Sequence, residues 1–239
     1  MNEEDKSLWD YHEIQNRQSF MLAKPRLDYI ANRLSRQIKL GKVLDIGIGD
    51  GYLLMLLSKK FQIFGIDISD LNIQKTHALF QARLIPADLR QASIDEIPHP
   101  DKMFGAVTAS EVLEHLDDKT LDKALGEIRR VLHEGGTFIG TVPAIENLNE
   151  SICFCPRCKN TFHRWGHKQS FTEESLKTLF SRNGFWIKRF KLLTFYGVQM
   201  DTTSIFRKMK FIIGKTLFFL LKRIFAPQWW FYFEVVKVK

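Results

Sequence analysis

Cysteine is scarce in this chain of 239 residues, and its three copies lie within six positions of one another. An odd number of cysteines packed so closely does not form a disulfide framework. The first 20 residues carry several acids and no apolar stretch, so we also expect no secretory signal. Both absences predict a protein that works in reducing cytoplasm.

Long apolar runs are missing as well. Residues 205–225 are rich in Phe, Ile and Leu, but lysines recur at positions 208, 215 and 222, and Lys215 interrupts the longest apolar runs. This segment is therefore too short and too charged to span a membrane. We expect a basic, apolar helical insert over 203–226. It either lies on an anionic membrane surface or packs against the sheet or a second subunit in a homodimer.

Positive charge is scarce in the first part of the chain and concentrated in the rest. Residues 1–150 hold 18 lysines and arginines against 23 acidic residues, whereas residues 151–239 hold 17 against 4. The resulting net charges of −5 and +13 predict an anionic partner for the second part, unless its basic residues merely face solvent. Hydrophobic residues make up 45% of the chain, so residues 1–239 are expected to form one domain with a substantial core.

The most informative stretch is Val-Leu-Asp-Ile-Gly-Ile-Gly-Asp-Gly at residues 43–51. Its apolar residues suit a strand that is covered on both faces. Gly47, Gly49 and Gly51 then allow a tight turn and a close approach of the backbone to a ligand, because no Cβ is in the way. A strand, a glycine loop and a following helix predict a cradle for a nucleoside cofactor.

Three acids narrow the choice of cofactor. Asp45 lies inside the loop, where it would repel a pyrophosphate but could pair with an ammonium group. Asp67 ends a second apolar run 22 positions later, where a carboxylate can bind ribose hydroxyls. Asp88 ends a third run and suits an adenine amino group. S-adenosylmethionine offers these three groups and no phosphate, so the acids favour it over a dinucleotide.

Five successive motifs between residues 40 and 145 make the chain resemble the class I S-adenosylmethionine-dependent methyltransferases, with a looser match over 167–193 and 229–238. The Ser-Glu-Val-Leu-Glu-His stretch at 110–115 is similar to a subgroup that contains ubiquinone-biosynthesis O-methyltransferases and many glycan and small-molecule methyltransferases. The resemblance implies an α/β, Rossmann-like fold. Its sheet would have seven mostly parallel strands with an antiparallel last strand, and the ligand would bind at the carboxyl ends of the strands.

The resemblance also implies a set of cofactor-binding residues. Asp67 would bind the ribose and Asp88 the adenine, and the loop would hold the donor. Ser110 and Glu111 would lie where the fourth strand opens toward the methyl donor and the acceptor. The full set comprises Asp45, Gly47, Gly49, Gly51, Asp67, Ile68, Asp88, Leu89, Ser110 and Glu111.

A second cluster of metal-ligand residues lies at 150–169, after the predicted fifth strand. Cys155-x2-Cys158-x4-His163 is typical of the first three ligands of a zinc knuckle, in which two thiolates converge on one ion. The fourth ligand stays open between His167, one residue short of the usual position, and Cys153. We expect a small Cys/His-rich insert that binds structural zinc, unless the thiols are reduced surface groups and the histidines serve the substrate pocket.

The third cluster is Glu111, Glu114 and His115. On a helix, positions i, i+3 and i+4 share one face, so these side chains would converge. Similar Glu-x-x-Glu-His sequences bind a divalent cation in some ubiquinone-pathway methyltransferases and in enzymes that methylate the terminal ribose of small RNAs, with a later histidine as a further ligand. His167 could be that histidine. In the other interpretation, His115 takes a proton from the acceptor hydroxyl. The catalytic candidates are therefore His115 and Glu114.

The sequence thus predicts O-methylation of a small molecule, a sugar or a lipid-linked intermediate by direct displacement. A second hypothesis is an RNA methyltransferase, in which the insert and the basic half hold a strand. The sequence offers no RNA-binding domain and no clear alternation of basic and aromatic residues in its support. A third hypothesis, a non-enzymatic partner subunit, does not explain why the acids at positions 45, 67 and 88 are intact.

Overall fold

The computed structural model describes Ser7 and residues 17–39, 41–194 and 229–238. Its α-helices are α1 (Arg17–Gln37), α2 (Tyr52–Leu57), α3 (Asp70–Ala82), α4 (Asp118–Val131) and α5 (Glu173–Arg182). Its strands are β1 (Lys42–Ile46), β2 (Gln62–Asp67), β3 (Ala87–Gln91), β4 (Phe104–Ser110), β5 (Leu132–Pro143), β6 (Ile152–Phe154), β7 (Thr161–His163), β8 (Phe185–Thr194) and β9 (Trp229–Lys237). Short 3-10 turns lie at Leu113–His115 and Leu148–Ser151.

Seven of these strands form one sheet in the order β3-β2-β1-β4-β5-β9-β8. The first five strands pair in parallel, and β9 is antiparallel to both of its neighbours, β5 and β8. The expected mostly parallel sheet with an antiparallel last strand is confirmed. Because β2 and β4 lie on opposite sides of β1, a crevice opens where the carboxyl ends of these strands diverge, and such crevices bind ligands.

Alternate residues of the central strands pack into two apolar clusters, one on each face of the sheet. Val43 and Ile139 pack with residues of α1, α2 and α3, whereas Leu44 and Phe138 pack with residues of α4 and α5. All four side chains are fully buried. A strand covered on both faces needs apolar residues at successive positions, which is why the run at 43–46 is nearly continuous.

The stretch after β4 is not the helix that the sequence predicts. Glu111 has a left-handed backbone with a φ of 59°, and its N–H donates a hydrogen bond to the Thr141 carbonyl at 3.0 Å. Only the 3-10 turn Leu113–His115 follows. Glu111, Glu114 and His115 therefore do not share a helix face, contrary to the prediction. Helix α4 ends at Val131, and β5 begins at the next residue, Leu132.

The Cys/His-rich stretch at 150–169 contains a small hairpin outside the main sheet. Strands β6 and β7 pair antiparallel, with Ile152 opposite His163. The predicted basic insert at 203–226 lies outside the described residues, so membrane contact through 205–225 and a homodimer stay predictions. Within the described part of the chain, no helix is both long enough and apolar enough to cross a membrane.

Candidate cofactor and acceptor site

A pocket opens at the carboxyl ends of β1, β2 and β4 and is closed on one side by Ala23, Arg26 and Leu27 of α1. Seven of the ten predicted cofactor positions line it, namely Asp45, Gly47, Gly49, Asp67, Ile68, Ser110 and Glu111. His115 lines the same pocket. The structure thus brings together residues that lie up to 92 positions apart in the chain.

The glycine loop adopts the conformation that the sequence predicts. Gly47, Gly49 and Gly51 have φ angles of 74°, 50° and 73°, in the left-handed region that disfavours side chains. A Cβ on Gly47 would lie 2.7 Å from a methyl carbon of Val112. Gly51 has a different role from the other two, because it begins α2 and faces α3 rather than the pocket.

Gly51→Ala is expected to lower the free energy of unfolding by roughly 1–3 kcal/mol. The added Cβ would lie 2.5 Å from Thr76 Cγ2, and the positive φ would be strained. Gly126→Ala in α4 is the matched control, because nothing lies within 4 Å of its added Cβ, and it should stabilise by up to about 1 kcal/mol. Chemical denaturation measures both variants, and equal stabilities would contradict this packing role.

Asp67 sits at the end of β2 with its carboxylate held by three donors. The Ser69 N–H donates at 2.9 Å, the Gly49 N–H at 3.2 Å and the Asn72 side-chain amide at 3.3 Å. Only 7% of the residue is exposed. These bonds fix the carboxylate beside the glycine loop, which is the geometry that a ribose-binding acid needs.

Asp45 is buried at the end of β1, and Thr108 Oγ1 donates a hydrogen bond to its carboxylate at 2.6 Å. Burial raises the pKa of Asp45 to about 7; the Thr108 hydrogen bond opposes this shift and the nearby Asp67 charge adds to it. A cationic group in the pocket would favour the ionised form. The position is therefore suited to an ammonium group.

Arg26 is a pocket residue that the sequence reasoning missed. Its Nε donates to Ser110 Oγ at 3.1 Å, and its Nη1 lies 3.6 Å from Glu111 Oε2. Glu111 also accepts hydrogen bonds from Trp230 Nε1 at 2.7 Å and Thr141 Oγ1 at 3.2 Å. Arg26 and Ser110 lie 84 positions apart, so no local pattern in the sequence could have indicated this contact.

Asp88 and Leu89 do not line this pocket, so the structure does not bring them to the place where the sequence predicts an adenine contact. Strand β3 begins at Ala87 and runs to Gln91, so both residues lie within the strand and not at its carboxyl end. Two hydrogen bonds from Arg90, each of 2.7 Å, occupy the Asp88 carboxylate and lower its pKa. Leu89 packs against the core cluster that contains Val43. The pocket wall beyond β3 is formed instead by Ala92 and Ile94.

Glu114 and His115 lie beside the pocket in the turn after β4. Glu114 is fully buried, and neither of its carboxylate oxygens has a hydrogen-bond partner among the described residues. Burial raises the pKa of Glu114 well above its usual value, and the neighbouring Glu111 adds to the shift. His115 is 7% exposed, with Nδ1 3.2 Å from the Gly166 carbonyl. Burial, followed by the neighbouring His167, lowers the pKa of His115 to about 3, so its imidazole is neutral.

Two histidines from the insert approach this turn and meet a carboxylate that the sequence reasoning did not single out. The His115 and His167 rings have centroids 4.8 Å apart, and His167 Nδ1 lies 2.5 Å from Glu146 Oε2. His163 stacks on His167, also at 4.8 Å between ring centroids. These residues form two groups that could hold a metal ion, Glu114–His115–His167 and Glu146–His163–His167. Within each group, the possible ligand atoms all lie within 4.8 Å of one another.

The predicted zinc knuckle is not assembled in the structure. Cys153 and Cys155 are half-buried and Cys158 is exposed. Hydrogen bonds from Cys158 and from the Arg157 backbone lower the pKa of the Cys155 thiol. In the part of the chain that the structure describes, however, no metal-ligand group joins a cysteine to either histidine. The histidines belong to the Glu146 and Glu114 groups instead.

Known sequences match the part of the chain that contains most of the pocket residues. Residues 43–136 match a methyltransferase-domain family. A probable S-adenosylmethionine-dependent methyltransferase from Mycolicibacterium smegmatis is 29% identical over 119 residues, which cover 49% of this chain and 44% of that protein. A phosphatidylethanolamine N-methyltransferase from Cereibacter sphaeroides is 29% identical over 101 residues, which cover 41% of this chain and 49% of that protein. The chain spans less than half the length of these curated relatives.

Solved structures share the fold of the described residues. The Burkholderia thailandensis 1,6-didemethyltoxoflavin-N1-methyltransferase, solved with its namesake ligand and S-adenosylhomocysteine, has a TM-score of 0.68 at 13% identity and covers 98% of this chain and 87% of its own. The PH0226 protein from Pyrococcus horikoshii has a TM-score of 0.65 at 17% identity and covers 96% of this chain and 99% of its own. At these identities the likeness concerns the fold alone.

Proposed function

We propose that this chain, which belongs to the class I S-adenosylmethionine-dependent methyltransferase family, transfers the methyl group of S-adenosylmethionine to an oxygen atom of a small molecule, a sugar or a lipid-linked intermediate. The observation that carries the proposal is the composition of one pocket. Asp45, Asp67 and the glycine loop line it, and His115 faces the same cavity. The groups that would hold the donor and those that would meet the acceptor are therefore adjacent.

The donor half of the pocket offers one partner for each polar part of the cofactor. Asp67 would accept hydrogen bonds from the ribose hydroxyls, and Asp45 would pair with the ammonium group. Arg26 would bind the carboxylate of the methionine portion, while Ala92 and Ile94 would cover the adenine. When bound, the cofactor supplies an electrophilic methyl group on its sulfonium.

The acceptor half would align an attacking oxygen with that methyl group. A new oxygen–carbon bond forms as the carbon–sulfur bond breaks, and the hydroxyl proton must leave for a base or for water. Holding the two reactants in line supplies much of the rate. Named relatives include an N-methyltransferase, so the expectation of an oxygen acceptor rests on the groups around His115 and not on those relatives.

A divalent cation fits the acceptor end, with Glu114, His115 and His167 as its ligands. The buried Glu114 carboxyl group has no hydrogen-bond partner among the described residues, and a buried polar group is costly unless another group binds it. Two imidazoles and one carboxylate form a donor set that suits zinc, manganese or iron. Such a cation would lower the pKa of an acceptor hydroxyl. Glu111, placed in this set by the sequence reasoning, is instead engaged by Trp230 and Thr141.

The test of the function is an assay with S-adenosylmethionine labelled in its methyl group. Purified protein is mixed with fractions of cell extract, with manganese or zinc present, and the labelled product is identified together with its new carbon–oxygen bond. Label in a small molecule, sugar or lipid supports the proposal. Label found in RNA supports the second hypothesis, and label on nitrogen overturns the oxygen assignment.

Asp67→Ala is expected to weaken S-adenosylmethionine binding by roughly 1.5–3 kcal/mol, as for hydrogen bonds to a charged group. The three donors that now hold the carboxylate would also lose their acceptor. Calorimetric titration measures the affinity, and Asp88→Ala is the matched control because that carboxylate lies outside the pocket. Unchanged affinity in a folded Asp67 variant would refute the ribose role.

A further inference from the structure

We propose that Glu146 positions His167 as a cation ligand, so that the insert at 150–169 is part of the acceptor site and not a separate zinc knuckle. The inference rests on the cation site of the proposed function and deepens it. Glu146 follows β5 and lies outside the Glu-x-x-Glu-His sequence. It is a positioning residue, because it would act on the cation only through His167.

One carboxylate reaches two imidazoles here. Glu146 Oε2 lies 2.5 Å from His167 Nδ1, and Glu146 Oε1 lies 3.8 Å from His163 Nε2. The Glu146 backbone carbonyl accepts a hydrogen bond from Ser170 Oγ at 2.6 Å, which fixes the start of the carboxylate side chain. His163 is 8% exposed, and its Nε2 has no hydrogen-bond partner among the described residues. The Glu146 side chain is 19% exposed, so this group lies largely out of solvent.

The hydrogen bonds determine which nitrogen of each imidazole carries the proton. His163 Nδ1 accepts a hydrogen bond from the His167 backbone N–H at 3.1 Å, so a neutral His163 carries its proton on Nε2, which faces Glu146. The Glu146 carboxylate in turn favours a proton on His167 Nδ1. The lone pair of His167 is then on Nε2. A carboxylate behind a histidine commonly orients it toward a metal in this way.

The insert is joined to the catalytic turn by backbone hydrogen bonds. The Lys168 and Gln169 N–H groups both donate to the carbonyl of Glu114, at 2.7 and 3.0 Å. At the other end, the Arg164 N–H donates to the Ser151 carbonyl at 2.7 Å, closing the hairpin. His167 is therefore held between Glu146 and the residue that supplies the carboxylate ligand. A freely moving knuckle would not be fixed to the acceptor site at this point.

Cobalt(II) binding to the full chain tests the role of Glu146. We expect one visible-absorbing cobalt ion per chain in the wild type. Glu146→Gln should bind it about 10- to 100-fold more weakly, the usual effect of removing such a partner. The control variants should bind it like the wild type: Glu150→Gln, an exposed acid of the same segment, and the double variant Cys155→Ser/Cys158→Ser. S-adenosylhomocysteine affinity and the melting temperature should not change in any of them.

Histidine 15N spectra of the metal-free protein report which ring nitrogen of His167 carries the proton. A merely structural role of Glu146 would leave this tautomer unchanged. His167 should carry its proton on Nδ1 in the wild type and shift toward the Nε2–H form in Glu146→Ala. Wild-type cobalt affinity in Glu146→Gln, or an unchanged His167 tautomer in Glu146→Ala, overturns the proposal. So does loss of cobalt from the double cysteine variant. If the wild-type protein binds no cobalt, both the cation site and the role of Glu146 are wrong. The methyl-transfer assay tests the proposed function separately.

Discussion

Asp45→Asn is expected to stabilise the cofactor-free protein at pH 8 and to weaken S-adenosylmethionine binding at the same pH. The carboxyl group is buried, and its pKa is raised from 3.8 to about 7. Above pH 7 the free protein therefore carries a buried charge whose cost is at most about 4 kcal/mol. Asparagine removes that charge while keeping an acceptor for Thr108 Oγ1, so we expect a gain of about 1–3 kcal/mol in unfolding free energy.

The pH dependence follows from the direction of the shift. Between pH 4 and 7 the folded state binds more protons at Asp45 than the unfolded state does. The contribution of protonated Asp45 to stability is fully present below pH 4 and is lost as the pH rises through about 7. The stability gained by the Asp45→Asn variant should therefore be small at pH 4, grow toward pH 7 and level off above it. Denaturation curves across this range measure the difference.

Binding should change in the opposite direction. The ionised Asp45 would pair with the ammonium group of the cofactor, and removing one partner of a buried ion pair costs roughly 3 kcal/mol or more, a factor of about 100 in affinity. Asp70→Asn on α3, outside the pocket, is the control and should leave both stability and affinity nearly unchanged. If Asp45→Asn binds the cofactor as well as the wild type does, the ammonium role is wrong, whatever happens to stability.

The parts of the site that could be predicted from sequence are those built by a few consecutive residues. The run at 43–51 contains a buried strand and three glycines with positive φ. Both features can be recognised from consecutive residues of the sequence, an apolar run and closely spaced glycines. Asp67 is predictable for the same reason, since it directly ends a short apolar run. The antiparallel direction of the last strand follows from the family resemblance and not from a local pattern, since nearly every residue of β9 is buried.

The errors arose where long-range contacts decide the local structure. The stretch after β4 has good helix formers, yet the hydrogen bond from the Glu111 N–H to the Thr141 carbonyl turns the chain there. Asp88 looked like a strand end because an apolar run stops at that residue. The pairing of β3 with β2 continues to Gln91, opposite Asp67, and so shifts the end of the strand. Neither contact is visible within a window of ten residues.

The Cys/His cluster shows the same limit for ligand spacing. The spacing of the cysteines and histidines favours a zinc knuckle. It gives no information on Glu146, whose carboxylate lies 17 positions before His163 and 21 before His167. In the fold, Glu146 meets both His163 and His167, and no group of possible metal ligands among the described residues joins either histidine to a cysteine. A spacing motif therefore predicts residue types suited to a metal, but the hairpin register decides which of them meet.

His115→Ala is expected to lower turnover by about a hundredfold or more, with little change in cofactor affinity. His115 lines the pocket in the turn after β4 and would meet the acceptor there, while the acids that would hold the cofactor lie on β1 and β2. The effect should appear in kcat, and calorimetry with S-adenosylhomocysteine should show near wild-type binding. His77→Ala, an exposed histidine on α3, is the matched control. Full activity in the His115 variant would eliminate both of its proposed roles, ligand and base.

Glu114→Gln separates those two roles. Glutamine resembles the protonated carboxyl group in size and shape but is a poor metal ligand. If a cation activates the acceptor, Glu114→Gln should lose turnover as severely as His115→Ala does, and chelation should inactivate the wild type until manganese or zinc is restored. If His115 acts alone as a base, chelation should have no effect and Glu114→Gln should stay active. The neutral imidazole of His115 and the two buried Glu114 oxygens without a hydrogen-bond partner among the described residues lead us to expect the first result.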